Sequence, residues 1–217
     1  MYNCIYSGHC TQMMCDKSCP TLAETSYLLE RNNLLMSSQV FNMKDKYINR
    51  CLHVLSVSEG KICSEIVNTS DTREDNIWAG QSTVSVADMI TYCGICQRWK
   101  GSRLHCTVYN LRFSTYVESI RNSWGGKGES EELEYMKIWS TSAKLLIISG
   151  LDYVNFRDFE CQTLLTLLQT RSRSEYTTII VSPLPSTLVG NSNFFGKLTQ
   201  LLNSSKVSTD SKVVTTK

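Results

Sequence analysis

The pattern of apolar and polar residues divides the chain into two parts. In the first part, apolar residues recur at helical spacing over two segments, Thr21–Leu35 and Lys44–Val57. Thr21 and Glu24 have the spacing of a capping box, so we expect the first helix to begin there. Both segments are therefore predicted to be amphipathic helices.

From about residue 75 onward, short apolar runs alternate with helical patterns. The apolar runs are predicted strands, at Ile77–Ala79, Leu104–Tyr109, Lys144–Ser149 and Thr177–Ser182. The helical patterns are Ser85–Lys100, Ser114–Asn122, a short segment after residue 132, Phe159–Thr170 and Phe194–Leu202. Strands that alternate with helices predict an α/β fold with a parallel sheet and right-handed crossovers.

In such a sheet, ligands bind at the carboxyl ends of the strands. The loops predicted at that edge are residues 80–85, 109–113, 149–155 and 182–186. The chemistry of the protein is therefore expected in these four loops.

Composition narrows the class of protein. The chain has 217 residues, of which 41% are hydrophobic, enough for one domain with a small appendage. With 22 Lys+Arg against 20 Asp+Glu, the net charge of +2 excludes a strongly basic nucleic-acid coat. The N-terminus lacks a secretory signal pattern, and no apolar run approaches the roughly 18 residues of a membrane span. We expect a cytoplasmic protein without a membrane partner.

Four of the ten cysteines lie within the first nineteen residues, at Cys4, Cys10, Cys15 and Cys19. Four thiolates satisfy a tetrahedral zinc site, and the metal would supply folding free energy to a segment too short for a core. We therefore expect structural zinc, with an iron–sulfur cluster as the alternative. The remaining cysteines are expected to pack as small apolar side chains, at Cys51, Cys63, Cys93, Cys96, Cys106 and Cys161.

These features together resemble a P-loop ATPase of the AAA+ class, and more narrowly the DnaC/DnaI-type replicative helicase loaders of bacteria and their phages. Phage-type members begin with a Cys-rich segment, here ending in Cys19-Pro20, and a helix with the run Tyr-Leu-Leu, here 27–29. Their acidic-motif strand and helix are similar to KLLIISGLDYVNFRDFECQTLLTLLQTR. Their sensor strand is similar to TTIIVSPLP, and their arginine-bearing last helix to NSNFFGKLTQLL. The resemblance covers most of residues 1–205.

The resemblance implies three parts. Residues 1–43 would be a zinc-binding helical module that contacts the replicative helicase, a DnaB-type hexamer. Residues 44–205 would be an AAA+-like domain with a RecA-like core, which in the family contacts single-stranded DNA and sister or active loader subunits. Residues 206–217 are rich in Ser, Thr and Lys and are predicted to be disordered. A phage-encoded protein of this kind would act in the bacterial host cytoplasm.

Candidate contact residues follow from this division. The helicase contact is assigned to Leu22, Tyr27 and Leu28, with packing within the module as the alternative. The DNA contact is assigned to Arg98, Trp99, Lys100 and Arg103, or else to Arg171 and Arg173, with a solvated helix end as the alternative.

The P-loop of the family is degenerate in this chain. Nucleotide hydrolysis needs G-x-x-x-x-G-K-[ST], whose backbone N–H groups and Lys hold the phosphates and whose hydroxyl holds Mg²⁺. The corresponding segment has no Gly-Lys pair, and its residues at the expected positions are Gly80, Thr83, Val84 and Ser85. Val84 lacks the backbone freedom of glycine, and nothing in the segment replaces the ammonium group.

The other motifs are degenerate as well. Ser149 and Gly150 stand where an Asp pair is expected, and Asp152 comes too late to be the same ligand unless the register shifts. The sensor strand ends in Ser182 followed by proline, and Lys197 replaces an arginine of the last helix without its planar fork. Loss of a γ-phosphate-stabilising Arg alone lowers the rate by about 10³–10⁵.

We therefore expect a pseudo-ATPase, without functional ATP or Mg²⁺, that keeps the loader scaffold and acts by binding alone. Two alternatives remain open. One is an inhibitor of the replicative helicase or its loader, and the other is an ATP-hydrolysing loader with an unrecognised P-loop.

Overall fold

The computed structural model describes residues 20–34, 43–58, 60, 67–69, 74, 76–100, 107–125, 128–174 and 176–183. The four predicted zinc cysteines, Arg103, Lys197, the predicted helix Phe194–Leu202 and the tail lie outside the described residues. Within the described part, no helix combines the length and the apolarity that a membrane crossing requires.

Helices flank a parallel sheet. The helices are α1 (Pro20–Arg31), α2 (Asp45–Val57), α3 (Thr83–Lys100), α4 (Phe113–Ser123), α5 (Glu131–Ser142) and α6 (Asp158–Arg173). The strands are β1 (Val67–Asn68), β2 (Val108–Arg112), β3 (Leu145–Ser149) and β4 (Thr177–Ser182), in the order β1-β4-β3-β2. All neighbours pair in parallel, which confirms the predicted α/β fold with a parallel sheet.

The helices cover both faces of the sheet because the chain reverses direction across it. After β1, α3 carries the chain to the far edge at β2, and the later crossovers return through β3 to β4. Right-handed crossovers in opposite directions place their helices on opposite faces. Alternate side chains of β3 show the result, since Leu145 and Ile147 pack with α1–α3, whereas Leu146 and Ile148 pack with α4–α6.

The first predicted strand is wrong. Residues 77–80 form turns, and the first strand within the described residues lies upstream at Val67–Asn68. Trp78 is buried and stacks on Tyr47 with ring centroids 5.7 Å apart. The apolar run at 77–79 therefore anchors a turn in the core. A pattern of only three apolar residues does not distinguish such a turn from a buried strand.

Helix α1 shares the core of the α/β domain. Leu28, Leu29 and Leu34 belong to the same buried apolar cluster as residues of α2 and α3, among them Val54 and Ile90. The predicted division after residue 43 therefore falls between helices that share one apolar cluster.

Candidate functional site

Small hydroxyl residues lie at the carboxyl ends of three neighbouring strands, two of them as the last residue of a strand and one directly after it. β4 lies between β1 and β3, so their parallel carboxyl ends meet at one edge of the sheet. Thr69, Ser149 and Ser182 stand there, and all three are buried. The N–H of Thr69 donates to the carbonyl of Ser182 at 3.3 Å, which ties the end of β1 to the end of β4. This carboxyl edge is the place where an α/β sheet forms its binding crevice.

Helix α3 begins at the same edge with a serine cap. The Ser82 hydroxyl accepts from the N–H of Ser85 at 3.1 Å, and its carbonyl accepts from the N–H of Val86 at 3.0 Å. A serine at this position satisfies one of the N–H groups that a helix start leaves unpaired. Gly80, with φ of 75°, supplies the left-handed turn that leads into the cap.

The turn after β3 folds a carboxylate back onto α3. Gly150 has φ of 73°, and a Cβ atom there would lie 3.1 Å from Ser114 Oγ, so the position strongly favours glycine. The following 3-10 turn, Leu151–Tyr153, brings Asp152 to the helix start, where Thr83 Oγ1 donates to Asp152 Oδ1 at 3.0 Å. From the sequence, Asp152 comes too late to be the same ligand as the acidic-motif pair unless the register shifts, and the turn brings its carboxylate to the start of α3.

Thr83 and Asp152 combine a hydroxyl at a helix start with a carboxylate. In P-loop NTPases, a helix-start hydroxyl and an acidic-motif carboxylate hold Mg²⁺. A carboxylate is also favoured at a helix N-terminus by the positive end of the helix dipole. The pair can therefore hold a divalent cation or, without one, neutralise the helix start.

The same edge contains an unsatisfied hydroxyl. Ser149 is fully buried, and its Oγ has no hydrogen-bond partner within the described part of the chain. Buried hydroxyls usually find a partner, so Ser149 is an exception to that rule among the described residues.

Positive charge is missing from the two loops beside Thr83. Residues 76–82 and 150–154 contain no lysine and no arginine. In the described ranges, no cluster of three or more His, Cys, Asp or Glu side chains is arranged to hold a metal. The start of α3 thus offers hydroxyls, helix N–H groups and the carboxylate of Asp152, without a lysine or arginine from these two loops, whereas Arg112 stands at the end of β2 in register with Ser149.

The residues predicted to contact the helicase and DNA differ in burial. Leu28 is only 6% exposed and lies in the core, so its assignment as a helicase contact is wrong. Tyr27 is 54% exposed, while the side chain of Leu22 lies outside the described part. Helix α3 carries Arg98, Trp99 and Lys100 in its last turn, and their side chains are also outside the description.

Arg171, which the sequence analysis assigned as an alternative DNA contact, has a structural role. It is fully buried at the amino edge of the sheet, so the DNA assignment is wrong, whereas Arg173 on the same helix is exposed. Its Nε donates to Thr178 Oγ1 at 2.6 Å, its Nη2 to the Thr177 carbonyl at 2.8 Å and its Nη1 to the Ser140 carbonyl at 3.1 Å. Burial lowers the pKa of Arg171 to about 10, which leaves it charged at neutral pH.

Three of the cysteines expected to be buried lie within the described residues, and all three are buried. Cys51, Cys93 and Cys161 belong to the apolar clusters. A hydrogen bond with Cys93, together with burial, raises the pKa of the Cys51 thiol. Burial also raises the pKa of Cys161. A raised pKa keeps a thiol protonated and unreactive, as expected of cysteines that act as packing residues.

Neither protein-family models, nor curated proteins, nor solved structures give a match to the chain.

Proposed function

We propose that the chain is a DNA-replication accessory protein, a phage or mobile-element helicase-loader-like protein that binds the replicative helicase without hydrolysing ATP. The observation that carries the proposal is the contact between Thr83 and Asp152 at the start of α3, in loops without a cation. It supports an AAA+-like scaffold whose nucleotide site has lost its chemistry.

The argument rests on charge. A triphosphate at a helix start is held by backbone N–H groups together with a lysine, and its transfer is stabilised by Mg²⁺ and an arginine. Here the carboxylate of Asp152 approaches the helix start, and residues 76–82 and 150–154 supply no positive side chain. Bound without metal, a phosphate would be repelled by this carboxylate. The geometry therefore favours binding of protein partners over phosphoryl transfer.

The partners follow from the same proposal. The first nineteen residues, with Cys4, Cys10, Cys15 and Cys19 on structural zinc, would contact the DnaB-type hexamer, and the exposed Tyr27 would extend that surface. Single-stranded DNA and a second or active loader subunit are further partners, and the bacterial host cytoplasm is the expected location.

The Thr83–Asp152 pair also favours a second candidate, an ATP-hydrolysing loader. These two side chains are of the types that hold Mg²⁺ in a working site, and they are already adjacent. Under this candidate, a lysine from outside the two loops would reach the phosphates. Inhibition of the helicase or its loader is the other alternative, and it shares the binding partner with the main proposal.

Nucleotide turnover separates the candidates. We expect no Mg²⁺-dependent ATP hydrolysis by the full-length protein above that of the Asp152→Asn variant, which keeps the size of the side chain and removes its charge. Turnover that is present in the wild type and lost in both Asp152→Asn and Thr83→Val would overturn the pseudo-ATPase proposal.

Helicase binding is tested separately. We expect a pull-down with the DnaB-type hexamer to retain the full-length protein, and removal of zinc by a chelator to weaken the complex. Failure to bind would reject the proposed function. Stimulation of strand displacement on DNA coated with single-strand-binding protein indicates loading, and suppression indicates inhibition.

A further inference from the structure

Three polar side chains from three elements meet beside the apolar cluster that α1, α2 and α3 share. In the middle of β2, the N–H of Asn110 donates to Oδ1 of Asn32, which directly follows α1, at 2.8 Å. Asn32 Nδ2 donates to the Val108 carbonyl on the same strand at 3.2 Å. The side chain of Asn110 reaches α3, where its Nδ2 donates to Asp88 Oδ1 at 2.8 Å. Asn110 therefore links the end of α1 to α3.

The side-chain amide of Asn110 lacks one hydrogen bond. Its Oδ1 is buried and has no hydrogen-bond partner within the described ranges. A buried acceptor without a partner destabilises a fold, so such an atom needs a donor. Because Oδ1 and Nδ2 share one carbon, and Nδ2 already bonds to Asp88, a donor on the Asp88 carboxyl would stand beside Oδ1.

The Asp88 carboxyl is the group that can supply this donor. An ionised carboxylate only accepts hydrogen bonds, whereas a protonated one gains an O–H donor. Burial raises the pKa of Asp88 above its ordinary value, although the Arg112 charge and the bond from Asn110 act in the opposite direction. Arg112, at the end of β2, is the charge that faces this carboxyl, while α1 brings the uncharged Asn32 and α2 packs on α3 through apolar side chains. Asp88 therefore takes up a proton at a higher pH than an exposed aspartate.

We propose that Asp88 and Asn110 form a proton-dependent pair, the carboxyl–amide lock, which holds α3 on β2 more tightly at low pH. With a proton taken from solvent, the second oxygen of Asp88 donates to Asn110 Oδ1 while its Oδ1 still accepts from Asn110 Nδ2, and a ring of two hydrogen bonds closes. When Asp88 ionises, the second bond is lost and Asn110 Oδ1 is left unpaired. Because Asn110 also bonds to Asn32, the lock acts on the junction of α1, β2 and α3.

The test uses Asp88→Asn in the full-length protein, because an asparagine carries the second donor at every pH. We expect its thermal midpoint at pH 7 to lie at least about 3 °C above that of the wild type. The difference should shrink as the pH is lowered, since the wild type closes the lock as the pH falls through the native pKa of Asp88. Asp158→Asn, at the exposed first residue of α6, is the control and should not raise the midpoint. A midpoint of Asp88→Asn at or below that of the wild type at pH 7 would overturn the proposal.

A titration of the wild type by carbon NMR tests the lock without any substitution. We expect the Asp88 carboxyl carbon to titrate above the ordinary value of about 3.9. The side-chain carbonyl carbon of Asn110 should move downfield with the same midpoint as the pH falls, because its oxygen accepts a new hydrogen bond in that step. An Asp88 midpoint at or below the ordinary value contradicts the proposal, and so does a titration of Asp88 without the downfield shift at Asn110.

Discussion

Buried polar groups at the two edges of the sheet differ in how fully they are hydrogen-bonded. At the amino edge, Arg171 is enclosed by acceptors from β4 and from the end of α5, whose negative dipole end suits a cation. At the carboxyl edge, Ser149 Oγ has no partner in the described part, and Thr83 reaches a single carboxylate. The amino edge surrounds its buried cation with acceptors, whereas the carboxyl edge leaves one buried hydroxyl without a partner among the described residues.

The largest expected effect is at Arg171. Replacing it by methionine keeps much of the volume but leaves the carbonyls of Ser140 and Thr177 without this donor. We expect the free energy of unfolding to fall by about 3 kcal/mol or more. The exposed Arg173→Met on the same helix should change it by less than about 0.5 kcal/mol. Urea titration followed by circular dichroism measures both, and equal effects would contradict the structural role of Arg171.

A buried carboxylate, Glu160, gives the next largest effect. Burial alone would raise its pKa, but the N–H groups of Arg157 and of Glu160 itself, together with the Arg121 charge, lower it below the ordinary value. Its Oε2 accepts from the N–H of Arg157 at 2.8 Å, and its Oε1 pairs with Arg121. We expect Glu160→Gln to lower the free energy of unfolding at pH 7 by about 2 kcal/mol.

The effect at Glu160 should depend on pH. A lowered native pKa stabilises the fold above the unfolded value, about 4.3, and this stabilisation is lost as the pH falls through the native pKa. Urea titrations between pH 7 and pH 3 should therefore show a smaller loss of stability for Glu160→Gln than for the wild type. A parallel pH dependence would contradict the shifted pKa.

Thr83 should give a smaller effect, because only one hydrogen bond is lost. Thr83→Val keeps the shape and removes the donor to Asp152, and we expect a loss of about 1 kcal/mol in the free energy of unfolding. Thr170→Val is the matched control, since the Thr170 hydroxyl bonds only within its own exposed helix turn among the described contacts. A loss at Thr83 no greater than at Thr170 would mean that the carboxyl-edge contact adds nothing to stability.

The smallest effect on the free energy of unfolding is expected at Ser149. This variant tests the contrast between the two sheet edges most directly. Ser149→Ala removes a buried hydroxyl without a described partner, so stability should stay within about 0.5 kcal/mol or rise. The equally buried Ser140 donates to the Lys137 carbonyl at 3.1 Å, and Ser140→Ala should lower stability by about 1 kcal/mol. Thermal unfolding of the two variants provides the comparison, and a destabilised Ser149→Ala would show that its hydroxyl is already bonded.

Much of the fold was predictable because it depends on local periodicity. The apolar run at Thr177–Ser182 is strand β4 with the predicted bounds, and the run predicted at 144–149 is strand β3 with one residue fewer. The first strand was not predictable, since Val67–Asn68 is too short to show a period. The packing of α1 on α2 and α3 was also not predicted, because an apolar stripe such as that of Leu28 and Leu29 does not show which surface it packs on.

The sequence by itself determined the alternation of strands and helices, the clustered cysteines and the absence of lysine and arginine beside the α3 start. Only the tertiary structure decided which polar groups meet. Thr83 and Asp152 are 69 positions apart, and Asn32 and Val108 are 76 positions apart. Periodicity reports which face of an element is buried, whereas such contacts depend on how the crossovers order the strands and where the turns between them point.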